Sequence, residues 1–498
     1  EEEEEDDEDV ESAQVELCSE AAEKGRKRVA ICGASSSGMI MAKELLEAGG
    51  FDVVLFERKA DVGGVYSSSA AYEGSRLTGS CSIVCFGCLP SGEEAQPSYW
   101  EIPKYVQYLE GFASRFGLRR LIRFETSVRR AVPLDVTDGS GNPLVGVVSG
   151  PVNNKEARGT FEVFHHFVCC TGITGGGYHP SALPQWPGAK GFAGRMLHAN
   201  SFKCASEFKG KRVLIVGLGE SGSDISWLLC RAGAASVCIQ TRTGPGYVVP
   251  RMVLGRAADL DTSRVYHGIP WWLWPRFGWR SFKLMLENLF LSADDNPAVL
   301  SFMTEVNEEV GHNPKRRFGT KSESFCKAVV EHGAVYKQSN IWRFKEDRVV
   351  FDDRSEFECD TVIYCGGYSV RFSIFDVAGQ QEDPTGNKDS DTCLSDVKPR
   401  QLYKRLVNPD LGLLFSWVGF FRPGFGAIPP VAEMQARLLA RWLSGAAEPP
   451  RAEEMQRAIK RDEEIDREQY GHDAERIGAL GDFSKWMNDY ASLIGCQP

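Results

Sequence analysis

Two stretches of the chain repeat one pattern of hydrophobic and polar positions: a short apolar run, a glycine-rich loop, a helix-forming segment closed by glycine, and a second apolar run. The segments of the first stretch are Arg28–Cys32, Met39–Ala48 and Asp52–Phe56, and those of the second are Lys211–Val216, Ser223–Arg231 and Ser236–Gln240. Short apolar runs rich in branched residues are typical of buried parallel strands, and glycine commonly ends a helix. Each stretch therefore predicts a βαβ unit.

A glycine loop joins the first strand of each unit to its helix. The loops are Gly33-Ala-Ser35-Ser-Ser37-Gly38 and Gly217-Leu-Gly219-Glu-Ser221-Gly222, so that Ser35 stands where the second loop has its middle glycine. A loop in this place presents free backbone N–H groups and the helix dipole to a pyrophosphate. We therefore predict that the numbered residues of both loops bind dinucleotides. For the first loop, the alternative is a turn that binds nothing.

The residue that follows each second strand predicts the nucleotide. Glu57 lies 19 residues after Gly38, a spacing at which an acidic side chain accepts hydrogen bonds from a ribose. The same spacing from Gly222 reaches Thr241, and the next residue, Arg242, suits the 2′-phosphate of NADP. The pattern predicts NADPH for the second unit, with a surface arginine at a strand end as the alternative.

A second glycine motif, Gly63-Gly64-Val65-Tyr66, follows Glu57. Paired glycines let a loop pass close to a bound ring system, and an aromatic side chain beside them can pack on that ring. We predict that Gly64, Val65 and Tyr66 contact a flavin. Two nucleotide cofactors in one chain favour electron transfer from NADPH to FAD.

Two similar segments indicate where the chain passes between domains. Phe167–Gly172 is an apolar run that ends in a tight turn, and Thr361–Tyr368 repeats this pattern. They predict an α/β fold with two doubly wound dinucleotide-binding domains, in which the NADP domain is inserted into the FAD domain. The predicted parts are a disordered acidic tail at 1–25, the first part of the FAD domain at 26–174, the NADP domain at 175–345, and the second part of the FAD domain with C-terminal helices at 346–498.

Composition narrows the class of protein and its compartment. The 498 residues have a formal net charge of -11, and twelve acidic residues lie within the first twenty positions. The rest of the chain is therefore close to neutral, and we predict no nucleic-acid partner. Fifteen cysteines, an odd number without a secretory signal, predict reduced thiols and a cytoplasmic protein. The longest apolar run, Leu411–Phe421, is too short to cross a bilayer. Cys81, Cys85 and Cys88 lack a fourth zinc ligand, so no metal is predicted.

The segment between the glycine loops reads Phe192-Ala-Gly194-Arg-Met-Leu-His198-Ala-Asn-Ser-Phe202. Its four numbered residues match in full the identifying motif of the flavin-containing monooxygenases, class B flavoproteins that oxygenate soft nitrogen and sulfur atoms. The chain resembles this family from about residue 27 to 445, and its other motifs follow in the family's order. Phe202 also differs from the tryptophan that is usual there in Baeyer–Villiger enzymes.

The resemblance implies further site residues. Thr78, Thr171 and Gly172 are expected beside the cofactors, Val128 near the FAD adenine, and Gln435 on a helix whose start faces the flavin. His198 is expected to be a hinge or docking residue that helps place the NADP domain, with direct acid–base catalysis as the alternative.

Three positions depart from the family pattern. Gly79 and Ser80 stand where many members have an asparagine beside the flavin, Tyr66 where tryptophan is usual, and Cys365-Gly366 where alanine-threonine is usual. Ser80 is therefore the candidate hydrogen-bond donor to the oxygenated flavin, with a shorter reach than an amide.

By resemblance, NADPH reduces FAD, reduced FAD and O2 give a C4a-hydroperoxide, and a soft nitrogen or sulfur atom of a small molecule takes the distal oxygen. Three alternatives stay open: a Baeyer–Villiger or N-hydroxylating monooxygenase on the same scaffold, a disulfide reductase using Cys85 and Cys88, and an NADPH oxidase or non-catalytic flavoprotein. The sequence does not define the substrate or the oligomeric state, for which a homodimer is one alternative.

Overall fold

The structure is a computed structural model of the chain. It describes residues 14–154, 157–172, 178–180, 183–253, 255–262, 273, 296–310, 319–370, 372–375, 397–471 and 477–496.

The described ranges contain both strands and α-helices, with long runs of consecutive strands after the helices that end at Arg115 and His332. The strands, numbered in chain order, are β1 (Lys27–Cys32), β2 (Phe51–Phe56), β3 (Ile122–Arg123), β4 (Thr126–Thr137), β5 (Pro143–Pro151), β6 (Thr160–Phe164), β7 (His166–Cys169), β8 (Tyr178–Pro180), β9 (Arg195–His198), β10 (Arg212–Val216), β11 (Ser236–Thr241), β12 (Met252–Val253), β13 (Arg256–Ala257), β14 (Val335–Gln338), β15 (Ile341–Phe344), β16 (Arg348–Phe351), β17 (Glu356–Glu358), β18 (Thr361–Tyr364), β19 (Tyr368–Val370), β20 (Phe415–Trp417), β21 (Arg422–Pro423) and β22 (Leu480–Gly481). The α-helices are α1 (residues 14–23), α2 (Ser36–Ala48), α3 (Cys81–Val84), α4 (Ile102–Arg115), α5 (Glu220–Arg231), α6 (Pro297–Val310), α7 (Ser324–His332), α8 (Ile428–Leu443), α9 (Ala452–Tyr470) and α10 (Phe483–Ile494).

The first glycine loop lies on a five-stranded parallel sheet with the order β20-β7-β1-β2-β3. Val29 and Ile31 of β1 are fully buried, as expected for a strand with both faces covered. Helix α2 connects β1 to β2 and ends at Gly49, whose φ of 74° lies in the left-handed region that favours glycine. The first predicted βαβ unit is therefore confirmed.

The second glycine loop lies on a parallel sheet of the same size, with the order β14-β11-β10-β18-β9. Helix α5 connects β10 to β11, and Ile225 and Leu229 on this helix are fully buried together with Phe325 of α7. In each sheet the first strand of the βαβ unit lies at the centre and strand order reverses beside it. The predicted α/β fold with two dinucleotide-binding units is confirmed.

The position of β18 shows that the predicted return to the FAD domain at residue 346 is too early. Thr361 pairs with Val213 of β10 and with Arg195 of β9, so this strand lies in the second sheet. The sequence could not make this assignment, because a short buried run has the same composition in either sheet. Since β18 begins at Thr361, the second unit continues beyond residue 345.

Each unit also contains a three-stranded antiparallel meander before its corresponding strand. Strands β4-β5-β6 lead into β7, and strands β15-β16-β17 lead into β18. The two units therefore share a topology that extends beyond their glycine loops, which the sequence pattern did not reveal.

The predicted disordered tail is wrong for residues 14–23, which form α1. Cys18 on this helix is fully buried, its thiol donates to the Val163 carbonyl at 3.2 Å, and Val15 packs in the same small cluster. An apolar face at a spacing of three residues is hidden by the acidic composition around it. Residues 1–13 lie outside the described residues.

The C-terminal helices fold back onto the first unit, where α8 packs between α2 and α10. Buried ion pairs join the loop before β20 to α9, with Arg405 on Asp466 at 2.7 Å and Lys404 on Asp462 at 3.0 Å. Among the helices that the structure describes, none has the length and apolar character needed to cross a bilayer.

Candidate active site

The first glycine loop is shaped by backbone contacts that exclude side chains. Gly33 has a φ of 109°, its N–H donates to the Phe56 carbonyl at 2.8 Å, and a Cβ at Gly33 would lie 2.6 Å from the Cys170 carbonyl oxygen. A Cβ at Gly38 would lie 1.8 Å from the Gly33 carbonyl oxygen. Both positions therefore require glycine, which keeps the helix N-terminus directly against the strand.

The middle position of this loop tolerates serine for a clear reason. Ser35 has φ −98° and ψ −165°, an extended backbone that any residue adopts. Its side chain lies against the second glycine motif, because a Cβ at Gly64 would be 2.9 Å from the Ser35 Cβ. Ser37 is buried and lies against Gly419, where an added Cβ would be 2.1 Å from the Ser37 hydroxyl.

Glu57 is buried at the end of β2 and holds the loop from the other side. One carboxylate oxygen accepts the Ala34 N–H at 2.8 Å, and the other accepts the Lys59 N–H at 3.0 Å. A carboxylate has about four acceptor positions, so two remain for the hydroxyl groups of a ribose.

The remaining residues predicted to contact FAD have varied surroundings. Val65 is exposed, and the ring of Tyr66 packs edge-to-face on Tyr105 at 5.0 Å. Thr78 is exposed and Val128 is buried in the core beside the first meander. Thr171 and Gly172 are half-buried at the end of β7.

Gln435 is corrected from a cofactor contact to a structural residue. Its side chain is fully buried, its amide oxygen accepts the Gly419 N–H at 2.9 Å, and its amide nitrogen donates to the Lys404 carbonyl at 3.2 Å and lies 3.1 Å from the Tyr490 hydroxyl. These partners occupy the amide, which leaves no exposed atom for a ligand. Gln435 instead supports the Gly419 segment against Ser37.

The second glycine loop repeats the backbone contacts of the first. Gly217 has a φ of 101°, its N–H donates to the Gln240 carbonyl at 2.8 Å, and a Cβ there would lie 2.8 Å from the Cys365 carbonyl oxygen. A Cβ at Gly222 would lie 2.3 Å from the Gly217 carbonyl oxygen. At Gly219, by contrast, no atom lies within 4 Å of an added Cβ, so the space above the helix N-terminus is open.

The end of β11 places the two predicted selectivity residues differently. Thr241 is buried and its hydroxyl donates to the Gly244 carbonyl at 3.1 Å, whereas Arg242 is exposed. Ser221 on the loop is exposed as well. The exposed Arg242 side chain is therefore accessible to an anionic group, whereas Thr241 stabilises the turn.

His198 connects the end of β9 to the segment after β18. The Asn200 N–H donates to Nδ1 at 3.0 Å, so Nε2 carries the proton and donates to the Gly367 carbonyl at 3.0 Å. Its ring packs edge-to-face on Tyr364 and Tyr368. Burial lowers the pKa of His198, although the Gly367 carbonyl opposes this shift.

The rest of the long motif has structural roles in the second unit. A Cβ at Gly194 would lie 2.4 Å from the Phe192 ring and 2.5 Å from the Asp360 carbonyl oxygen. Phe202 is buried and stacks on Phe208 at 5.6 Å. Its ring also meets Tyr72 of the first unit edge-to-face, so the motif lies where the two units touch.

Polar side chains from both units meet beside the second glycine loop. The Ser80 N–H donates to Asp259 at 2.6 Å, and the Lys321 ammonium donates to the Gly426 carbonyl at 2.8 Å. The Lys321 N–H donates to Glu220, the first residue of α5, at 2.8 Å. Sequence reasoning missed Asp259 and Lys321, because no local pattern marks either residue; Glu220 lies inside the glycine loop and could have been noted.

Burial changes the proton affinities of this group. It raises the pKa of Glu220, against the effect of Arg251, and it lowers the pKa of Lys321, against the effects of Glu220 and Asp259. Burial, followed by Asp259, raises the pKa of Tyr99. Burial therefore disfavours the charged forms of Glu220, Lys321 and Tyr99.

The two loops fit the pyrophosphate ends of two dinucleotides. Each has glycines where a Cβ would collide with a carbonyl, an α-helix N-terminus above them, and a side chain suited to ribose or phosphate at the end of the next strand. The residues present therefore match FAD at the first loop and NADP at the second.

Comparison with known proteins assigns the class. Residues 26–498 match the family model "FMO-like: Flavin-binding monooxygenase-like". A 4-hydroxybenzoate brominase (decarboxylating) from Marinomonas mediterranea and the human flavin-containing monooxygenase 5 are each 28% identical to the chain, over 95% of its length and 84% of theirs. The chain belongs to the flavin-binding monooxygenase-like family, which confirms the predicted flavin-dependent monooxygenase.

Two solved structures illustrate the fold of this chain. An S-allyl-L-cysteine S-oxygenase from Allium sativum has a TM-score of 0.61 at 19% identity, covering 95% of this chain and 89% of that one. A cyclohexanone monooxygenase in an open form has a TM-score of 0.63 at 16% identity, covering 94% and 98%. At these identities the likeness defines the fold that both share with this chain.

Proposed function

We propose that the chain is an FAD- and NADPH-dependent monooxygenase that transfers one oxygen atom of O2 to a soft nitrogen or sulfur atom of a small molecule. The observation that carries this proposal is the pair of glycine loops with matched backbones and different selectivity residues, Glu57 in the first unit and Arg242 in the second. Reduced flavin supplies the redox and oxygen-transfer chemistry, which side chains cannot supply.

The residues of the chain bind and orient the reactants. Gly33, Gly38 and Glu57 hold the adenylate half of FAD, and Gly217, Gly219 and Gly222 hold the pyrophosphate of NADPH, whose 2′-phosphate meets Arg242. Ser80 lies between the units, where it can donate a hydrogen bond to a bound group.

We assign His198 a positioning role. Both ring nitrogens have backbone partners, Asn200 and Gly367. A general base needs a free nitrogen within reach of the reacting proton, and the neutral ring of His198 has none to offer. It ties β9 to the chain that follows β18 and so supports the edge of the second sheet.

The surroundings of two other groups disfavour the alternatives. Burial raises the pKa of Cys85 to about 12, and it raises the pKa of Cys88 as well, whereas a disulfide reductase needs a reactive thiolate. Phe202 fills a closed aromatic contact with Phe208 and Tyr72, and the aromatic residue there is the one expected for nitrogen and sulfur oxygenation.

The test combines NADPH consumption, oxygen uptake and product analysis with isotopically labelled O2. The panel contains a tertiary amine, a thioether, a ketone, and a phenolic acid with and without bromide. We expect the amine or the thioether to gain one labelled oxygen atom. Products from the ketone alone, a brominated phenol alone, or hydrogen peroxide equal to the NADPH consumed with every compound would each overturn the proposal.

Gly217→Val is the matched control for this assay. It should keep FAD, because the first loop is untouched, while the second loop can no longer accept NADPH. Oxygenation by this variant at the wild-type rate would contradict the role of the second unit.

A further inference from the structure

Two side chains from different units leave polar atoms without partners where the units meet. Ser80 stands at the start of α3 in the first unit, and Asp259 lies in the 3-10 turn Ala258–Asp261 of the second. The Ser80 N–H donates to one oxygen of Asp259 at 2.6 Å. The Ser80 hydroxyl and the other Asp259 oxygen are both buried without a hydrogen-bond partner.

Buried polar atoms are rarely left unpaired, because their lost hydrogen bonds to water are not replaced. The Ser80 side chain is fully buried, so its hydroxyl has no access to bulk water. One free atom is a carboxylate oxygen, which only accepts hydrogen bonds, and the other is a hydroxyl, which can donate. Together they complement a group that donates through N–H and accepts through an adjacent oxygen.

The residues around Ser80 and Asp259 favour a neutral amide as the bound group. Lys321 is close enough to influence Asp259, and its positive charge disfavours an ammonium group at the same place. Burial raises the pKa of the Tyr99 hydroxyl, and Tyr99 lies close enough to Asp259 for the carboxylate to raise this pKa further. A Cβ at Gly79 would lie 2.9 Å from Val84 and 3.7 Å from Asp259, so residue 79 leaves room for the carboxylate and adds no competing polar group.

We propose that Ser80 and Asp259 bind the carboxamide of the nicotinamide ring of NADPH. The free Asp259 oxygen accepts the amide N–H, and the Ser80 hydroxyl donates to the amide oxygen. Since the two residues belong to different units, the bound carboxamide joins them and sets the position of the nicotinamide ring between them. This inference rests on the proposed function for the identity of the coenzyme, and it adds the residues that hold its reactive end.

The test compares two coenzymes that differ only in the amide. FAD-loaded protein is titrated with NADP+ and with its 3-acetylpyridine analogue, in which a methyl group replaces the amide nitrogen, and the Kd values are measured by calorimetry. Wild type should bind NADP+ about tenfold more tightly, as expected for one hydrogen bond to a charged group. The variant Asp259→Asn should bind the two coenzymes equally. Its amide oxygen can still accept the Ser80 N–H, but its NH2 group then faces the NH2 group of the carboxamide and no hydrogen bond forms between them.

Ser80→Ala should weaken both coenzymes to the same extent, since both keep the carbonyl oxygen. Asp353→Asn, an exposed position in the meander of the second unit, is the matched control and should bind like wild type. Flavin content and Tm report whether each variant is folded, and Asp259→Ala provides a second variant if Asp259→Asn is unstable.

Two outcomes would overturn the inference. In the first, Asp259→Asn weakens NADP+ and the analogue by the same factor, so the residue does not sense the amide nitrogen. In the second, neither Kd changes and only the KM for an oxygenated substrate rises, which assigns the pair to an amide of the substrate. Because binding is measured without turnover, tenfold discrimination in a protein that oxygenates nothing would refute the proposed function and leave the carboxamide site standing.

Discussion

In the first unit the loop begins at a glycine with φ 109°, and in the second at a glycine with φ 101°. Added Cβ atoms at these positions, Gly33 and Gly217, would lie 2.6 and 2.8 Å from carbonyl oxygens of Cys170 and Cys365. The two cysteines follow β7 and β18, which occupy equivalent places in their sheets. The backbone of both loops is thus held by the same three neighbours: its own strand, the next strand and the strand on the other side.

The loops share Ser37 and Ser221 at equivalent positions but differ at the two preceding positions and at the end of the next strand. The first has Ser35, Ser36 and Glu57 where the second has Gly219, Glu220 and Thr241 with Arg242. Ser35 packs on Gly64, whereas the space at Gly219 is open. Glycine is thus retained where a Cβ would collide with a backbone carbonyl, and we expect recognition to depend on positions with an ordinary backbone conformation.

The largest effect is expected from Gly33→Val and Gly217→Val, which break the two loops in the same way. Positive φ alone costs a branched residue about 1–3 kcal/mol, and each Cβ would also collide with a carbonyl. Gly33→Val should be purified without flavin, and Gly217→Val should keep flavin and lose coenzyme binding. The measurements are the ratio of flavin to protein absorbance and the Kd for NADP+.

Gly111→Ala, on α4 with no atom near its added Cβ, is the control for replacing glycine. A fully yellow Gly33→Val protein would contradict the assignment of the first loop.

Arg242→Ala should have the next largest effect, because it removes the residue that distinguishes the second unit. Loss of a charged hydrogen bond of about 1.5–3 kcal/mol should raise the KM for NADPH at least tenfold. The KM for NADH, which lacks the 2′-phosphate, and the flavin content should stay constant. Equal losses for NADPH and NADH would mean that Arg242 does not read the phosphate.

Exchanging the middle residues of the loops tests their difference more finely. Gly219→Ser has an allowed backbone, with φ −117°, but places a side chain in the open space. A cost of about 1 kcal/mol, the middle of the range for single substitutions, would raise the KM for NADPH about fivefold. Ser35→Gly should lower flavin affinity by less, since only the contact with Gly64 is lost. A Gly219→Ser protein with an unchanged KM would show that the pyrophosphate does not approach this position.

The smallest effect concerns the first residue of each helix. Burial raises the pKa of Glu220, so the folded state favours the neutral carboxyl. The stability that this neutral form contributes to the fold is lost as pH rises through the raised pKa. Glu220→Gln stays neutral, and its Tm relative to wild type should therefore increase with pH above the usual carboxyl range. Thermal unfolding from mildly acidic to mildly alkaline pH measures this difference.

Ser36→Ala at the equivalent position of the first loop has no titrating group, so its Tm difference from wild type should not vary with pH. A flat difference for Glu220→Gln as well would mean that the carboxyl is not desolvated in solution.

Much of the site could be predicted from local sequence. The bounds of both βαβ units agree with the structure within a few residues, because buried strands, positive-φ glycines and helix ends follow from periodicity and backbone sterics. The shared meanders were not predicted, since the preference of a residue for a strand depends on its cross-strand neighbours, which the sequence does not show. Gln435 was assigned to the cofactor from the family resemblance and from the helix that bears it, and neither reveals which buried groups its amide contacts.

The sequence by itself determined that the chain has two nucleotide units, where their glycine loops lie, and which class of enzyme carries the long motif. These properties depend on neighbours along the chain. The tertiary structure alone decided that β18 joins the second sheet, that the amide of Gln435 is hydrogen-bonded to buried partners, and that Ser80 contacts Asp259. Ser80 and Asp259 are 179 positions apart, and no local periodicity relates residues that the packing of two separate units brings together.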